Sequence, residues 1–263
     1  MPEDNIADQN PSFRAHTDIT SDELVSGLHS LELIRGDIHL SLQVSNLTVV
    51  DQFIMSIEHQ TLHDFVETEG TPTIAMFLNA QSQMWIFAAY ELLRTWRALA
   101  KETIKLAENG GLELKADSLE KDQGFLNGSR EMQAIQLRKI AADMSIIETI
   151  KTDLRRTHIP FSRIEHLRVS LAKNEIRGKR NSVAYTPGYG RISMVTGSLE
   201  YQLENGHFIL GTISRREIAD ELRALNNPNS APTEDEVASF DEYMKASIPK
   251  EELEAFRENP RNT

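Results

Sequence analysis

Arg163, His166, Lys173 and Arg177 follow one another at intervals of three, seven and four residues. At about 100° per residue they gather on one side of a helix, beside an apolar strip of Ile164, Leu167 and Leu171. After them comes Gly178-Lys179-Arg180-Asn181-Ser182-Val183-Ala184-Tyr185-Thr186-Pro187-Gly188-Tyr189-Gly190-Arg191, which reads as a loop. Its cations and two tyrosines alternate with glycines that permit close backbone approach. Cations to meet phosphates and rings on which bases stack equip a site for single-stranded nucleic acid or a nucleotide. The candidate ligand-binding residues are therefore Arg163, His166, Lys173, Arg177, Lys179, Arg180, Tyr185, Tyr189 and Arg191. The same charges would also suit a solvated face that balances acidic parts of the chain.

Arg163-x-x-His166 and Arg155-x-x-His158 invite a phosphodiester-processing reading, because an imidazole titrating near neutrality beside a guanidinium can move a proton and stabilise phosphate charge. Capping, packing on Phe161 or plain solvent exposure is the favoured explanation of both pairs, and no catalytic residue is assigned. His59, His63 and Glu67 share a helix face at a spacing able to hold a metal, but Gln60, Thr61 and Leu62 between the histidines give no HExxH motif. A hydrated face is expected there, without metal. Gly188-x-Gly190 lacks both the third glycine of a dinucleotide fingerprint and the Lys-Ser/Thr ending of a P-loop. With no cysteine in the chain, thiolate ligands, disulfides and a Cys nucleophile are excluded, and no cofactor is expected.

Charge locates the elements that must carry these residues. The net charge is -12, yet residues 151–191 hold 10 basic and 3 acidic side chains, whereas 1–150 hold 11 and 23, 192–225 hold 3 and 5, and 226–263 hold 4 and 9. A basic stretch inside an acidic molecule disfavours wholesale attraction to nucleic acid or anionic membrane and confines any such contact to one surface. The start, Met1-Pro2-Glu3-Asp4, is acidic where a secretory signal would be basic. The longest apolar run, Met84 to Tyr90, is far below the ~20 residues a bilayer requires. A cytoplasmic protein without a membrane contact is expected.

Residues 1–19 read as a disordered N-terminus, and Thr20-Ser21-Asp22-Glu23 has the spacing of a capping box that opens a helix. Residues 37–45 fit both a strand and a helical stripe; the helical neighbours favour helix. Val50, Phe53, Ile54, Ile57 and Phe65 share one face of a helix from about residue 48 to 67. Thr71-Pro72 opens a longer helix whose apolar side chains surround the axis, which predicts the buried centre of a bundle. Residues 109–128 read as a long loop, Ser129 as the cap of a fourth helix ending near His158, and Pro160 with Ser162-x-x-Glu165 as the start of a fifth.

Farther on the period changes. A two-residue turn at Asn205-Gly206 would pair Leu203 with Phe208, Tyr201 with Leu210 and Leu199 with Thr212. A preceding turn at Thr196-Gly197 would set Met194 opposite Leu199 and Ile192 opposite Tyr201. Ser214-x-x-Glu217 then caps a helix whose Ile218, Leu222 and Leu225 can cover the sheet.

The expected fold is mainly α (α+β): a helical bundle of about five helices over 20–177, then a basic loop, a three-stranded antiparallel β-meander and a helix docked on the bundle over 178–226. Residues 227–263 form a linker and an acidic, partly helical tail. The function expected from this arrangement is a non-catalytic binding or regulatory protein whose basic helix-loop surface, about 155–191, contacts an anionic partner: an acidic protein segment, RNA or a nucleotide. An RNA- or nucleotide-processing enzyme acting at the Arg163/His166 face is the second reading. A homo-oligomeric scaffold, joined by the acidic tail of one chain on the basic surface of another, is the third.

Overall fold

The computed structural model describes residues 14–121, 124, 127–177, 179–205, 209–227, 229 and 231–245. The mainly helical α+β class is borne out. Helix α1 (Ser21–His29) opens with the expected capping box of Thr20 and Glu23. Order begins earlier than residue 20, since Arg14 pairs with Glu23, a 3₁₀ turn spans His16–Asp18 and Ile19 is buried. Residues 1–13 of the expected disordered N-terminus lie outside the described residues.

The ambiguous 37–45 segment is helix. Asp37 accepts from the amides of His39 and Leu40 and starts α2 (Ile38–Thr68), so the helix expected from residue 48 runs ten residues longer at its N-terminus. Helix α3 (Ile74–Glu108) follows the residues 69–73 turn and lies along α2. The all-round apolar pattern predicts α3 buried on every side, but Met76, Phe77 and Met84 are exposed, as are Val50 and Phe53 of α2. One side of this helix pair is open. The other carries the core, where Trp85 and Trp96 donate their indole N–H to the carbonyls of Leu47 and Glu32 at 3.1 and 2.7 Å.

Residues 109–128 are not a long loop. Leu112, Ala116 and Leu119 fall on one face, bury against the bundle and make α4 (Leu112–Glu120). The helix expected from Ser129 divides into α5 (Gly128–Ala142), capped by Asn127, and α6 (Ser145–Arg156). Asp143 accepts from the amide and hydroxyl of Ser145 and separates the two. Helix α7 (His158–Lys173) begins before Pro160, which occupies its first turn, so Ser162 is a buried interior residue and not a cap.

At Asn174 the backbone turns left-handed (φ 54°) and ends α7. The basic "loop" then begins with strands β1 (Glu175–Ile176) and β2 (Lys179–Val183), an antiparallel pair. The expected meander is present as β3 (Arg191–Ile192), β4 (Leu199–Glu204) and β5 (Ile209–Ser214), in that spatial order. Its registers differ from expectation. Ile192 faces Leu199 because the connection through residues 193–198 is longer than two residues, which leaves Met194 exposed. Tyr201 faces Ile213 and Leu203 faces Gly211, with an irregularity at Leu203/Glu204; Phe208 lies outside the described residues. That odd-numbered slip exchanges the faces of β5, so Ile213 and not Leu210 is its fully buried apolar residue.

Helix α8 (Arg215–Ala224) starts at the expected Ser214/Glu217 capping box. Its arginines, more than its apolar residues, define how it docks. Arg215 is wholly buried, donates to Glu58 at 2.7 and 3.0 Å, pairs with Asp51 and lies 5.3 Å over the Trp85 ring. Arg223 pairs with Asp51 and Asp220, and Arg216 with Asp220 and Glu58. Three guanidiniums thus meet three carboxylates between α2 and α8, and burial pushes the Glu58 carboxyl up against the pull of Arg215. Finally, α9 (Glu234–Lys245) packs on α7 through Phe240, which lies under Arg163, and through a His158–Asp241 contact of 2.8 Å. Residues 246–263 lie outside the described residues.

Candidate functional site

The helix half of the basic segment turns inward. Arg163 pairs with Glu221 of α8 and sits 5.6 Å from the Phe240 ring of α9. Arg168 stacks on Tyr90 at 5.1 Å, and Arg156 is buried against Asp153 at 2.8 Å. His166 is buried, with Nδ1 3.0 Å from the Ser162 carbonyl; burial lowers its pKa, with Ser162 opposing. Arg177 lies beyond the end of α7, pairs with Glu165 and donates to the Ser162 hydroxyl at 3.1 Å. Lys173 is exposed at the C-terminal turn of α7. The cationic ridge drawn from helical periodicity is therefore largely neutralised within the chain, and the Arg163/His166 reaction centre gains no support from this geometry.

Glu221 has one carboxyl oxygen on Arg163 while the other is buried without a partner among the described residues. Burial, opposed by Arg163, pushes its pKa up to about 7. A carboxyl that holds its proton more tightly folded than unfolded favours the fold at low pH and loses that contribution as pH rises from about 4.5 to 7. The wild type should accordingly lose at most about 3 kcal/mol relative to Glu221→Gln between pH 5 and pH 8. Urea midpoints of both proteins at the two pH values measure it; parallel curves would show that Glu221 is not the group responsible.

The loop half is built differently. Buried Glu204 accepts from the amides of Tyr185 and Thr186 at 2.7 and 3.2 Å, and Thr186 donates its hydroxyl to Gln202 at 2.5 Å. Pro187 and Gly188 (φ 77°) form the centre of a turn closed by the Tyr189 amide on the Thr186 carbonyl, the conformation in which glycine relieves a steric penalty. Asn79 of α3 donates to the Gly188 carbonyl at 3.2 Å and accepts from the Tyr201 hydroxyl at 2.8 Å. A side chain at Gly190 would meet Leu199 at 2.7 Å, so this stretch lies flat on β4. Held in this way, Tyr185 and Tyr189 remain 66% and 74% exposed, and Arg191 is exposed next to them.

Tyr189 and Arg191 border a cleft of about 440 Å³ whose walls include Phe65, Met76, Asn79 and Met194. Thr71 and Ala75 also line it, which sets the positive end of a 35-residue helix dipole close to the Arg191 cation. The cleft is thus apolar on one wall and positive on the other. Of the predicted residues, the structure brings Tyr189 and Arg191 together there with Tyr185 on the same loop, and separates them from Arg163, His166 and Arg177, which are engaged internally. The side chains of Lys179 and Arg180 lie outside the described residues. Asn79, Gln202 and Glu204, which shape the loop, carry no signal in the sequence because they act across 16 to 109 residues of chain.

Elsewhere, His59 turns to His16, with ring centroids 4.4 Å apart, while His63 approaches Asp64 and Glu67 at 3.5 and 3.3 Å. Among the described residues no group of three or more His, Asp or Glu is placed to hold a metal ion, and no helix is long and apolar enough to cross a membrane. No known protein family, no curated protein and no solved structure matches the chain.

Proposed function

We propose that this is a cytoplasmic, non-catalytic binding protein that contacts an anionic partner bearing a flat ring, a nucleotide or a short single strand of RNA, through the loop of residues 184–191 and its cleft. The observation that carries the reading is a fixed loop holding two tyrosines out in water, followed by an exposed arginine for which no ion pair is seen among the described residues. Hydrogen bonds at Glu204, Gln202 and Asn79 order this loop before any partner arrives, which removes part of the entropic cost of association. Stacking on an exposed ring is worth about 1–3 kcal/mol per base and is indifferent to sequence.

A labelled octauridylate followed by fluorescence anisotropy tests the proposal. Binding is expected at low ionic strength, weakening as salt rises because phosphates release counterions on contact with cations. Tyr189→Ala with Arg191→Ala should reduce affinity by at least about tenfold. Absence of binding at low salt, or affinity unchanged in the double variant, would remove this function.

A further inference from the structure

We infer that the open side of the α2–α3 pair is the contact surface for a second copy of this chain. This surface is separate from the loop of residues 184–191, and the inference does not rest on that reading. Between Ile38 and Gln60 only Asp51 and Glu58 carry a formal charge, and both are buried in the arginine network. Between Thr71 and Tyr90 there is no Asp, Glu, Lys or Arg at all. In a chain of which 26% is charged, the outward face is therefore free of formal charge over most of α2 and over the N-terminal half of α3.

What that face presents is a regularly spaced mixture of apolar and uncharged polar side chains. On α2, Leu42, Asn46, Val49, Phe53, Ser56 and Gln60 are exposed and alternate four and three residues apart. On α3 the corresponding seam is Phe77, Gln81, Met84 and Ala88. Alternating four-three spacing is the pattern of a seam that meets another helix. The two seams adjoin: Phe53 and Phe77 touch edge to face at 6.4 Å, and between Val50 and Met84 runs a groove of about 350 Å³ floored by Trp85. Met84 in its wall is 62% exposed, and Val49 on the α2 seam is 69% exposed.

Charge decides the occupant. Among the described residues the only charges at the groove, Glu91 at its end and the neighbouring Arg94, are paired with each other at 2.8 Å, so a charged segment would be desolvated against the face with little compensation. That disfavours the chain's own residues 246–263, seven of whose eighteen are charged. The acidic helix α9 is already seated on α7. A matching surface must itself be helical, largely uncharged and able to meet both apolar and amide or hydroxyl side chains, which is what the same face of another copy supplies. Two molecules of net charge -12 repel, and here they can approach with a single carboxylate per copy, Glu91, at the end of the groove and already paired with Arg94. Two helices side by side over about 17 residues present roughly 500 Å² per copy, about 1,000 Å² in all, the lower limit of a specific interface. The product is a two-fold assembly in which two helical hairpins form a four-helix layer.

Sedimentation equilibrium of the full chain at about 50 μM is expected to give twice the 29.8 kDa monomer mass. Val49→Glu with Met84→Glu changes residues that the monomer leaves in water, so circular dichroism and thermal unfolding of the protomer should be retained. The dissociation constant should rise by at least about a hundredfold, because each pair of opposed carboxylates is buried unpaired. A dimer that survives both substitutions overturns the assignment of this face. A monomeric wild type overturns the proposal: if trypsin then cuts residues 246–263 faster in the double variant than in wild type, the chain's own tail is the occupant, and if the rates agree, the face belongs to a different protein.

Discussion

Replacing Arg215 with methionine is expected to destabilise the fold by about 3–5 kcal/mol, the largest effect of any substitution considered for this chain. Methionine fills much of the same volume, so the loss is electrostatic and not a cavity. Asp51 and Glu58 would remain buried on α2, with only Arg223 and a longer 3.7 Å contact from Arg216 to balance them. Burial already pushes the Glu58 carboxyl up, and without the neighbouring guanidinium it rises further. A carboxyl raised in the fold is tolerated once it takes up a proton, so Arg215→Met should cost less at pH 5 than at pH 8. Adding Glu58→Gln should flatten that difference. Guanidinium-chloride midpoints at the two pH values give both comparisons; a loss below about 1 kcal/mol at pH 8 would mean that the network is dispensable.

Gly197→Ala is the second, at about 2–4 kcal/mol. Gly197 lies between β3 and β4 with φ 72°, where a side chain is strained whatever the room available. There is no room either: an added Cβ would come within 2.0 Å of the Glu58 carbonyl oxygen and 2.9 Å of Leu62. Those are atoms of α2, and the first belongs to its backbone, so the sheet or the helix must shift to admit a methyl group. Thermal unfolding should show the loss, accompanied by a change in environment at Trp85, whose ring touches Arg215. An unchanged melting temperature would show that the 193–198 connection does not press on α2.

The parts of this fold that could be read from the sequence are those with short-range causes. The two capping boxes need only four residues each, and they mark the starts of α1 and α8 as expected. Helix α4 was obscured because Gly110-Gly111 and its charges read as a loop, although Leu112, Ala116 and Leu119 already had helical spacing. On β5, Leu210/Thr212 and Gly211/Ile213 are competing faces, and Asn205-Gly206 favours a short turn that would select the wrong one. Only the packing of β4 against the bundle settles which face is inside.

For the candidate site the division is similar. Tyr185, Tyr189 and Arg191 stand out by residue type in a glycine-containing stretch, whereas the neutralisation of Arg163 depends on Glu221, 58 residues away, and on α9. A helical wheel measures angle about an axis and is blind to what lies opposite. The same blindness applied to α3, where an apolar surface on all sides reads as burial within the chain but is covered on one side only.

Asp51 and Glu58 lie 157 to 172 residues upstream of Arg215 and Arg223, the arginines that neutralise them most closely. At a translation rate of about 5–20 residues per second, roughly ten to thirty seconds separate the emergence of the acids from that of the bases. For that interval the nascent helical region holds two carboxylates that cannot settle into an apolar interior, and its native core is held open until α8 leaves the ribosome. The α8 segment therefore acts as a latch on α2, and final consolidation of the bundle waits until that segment has been made.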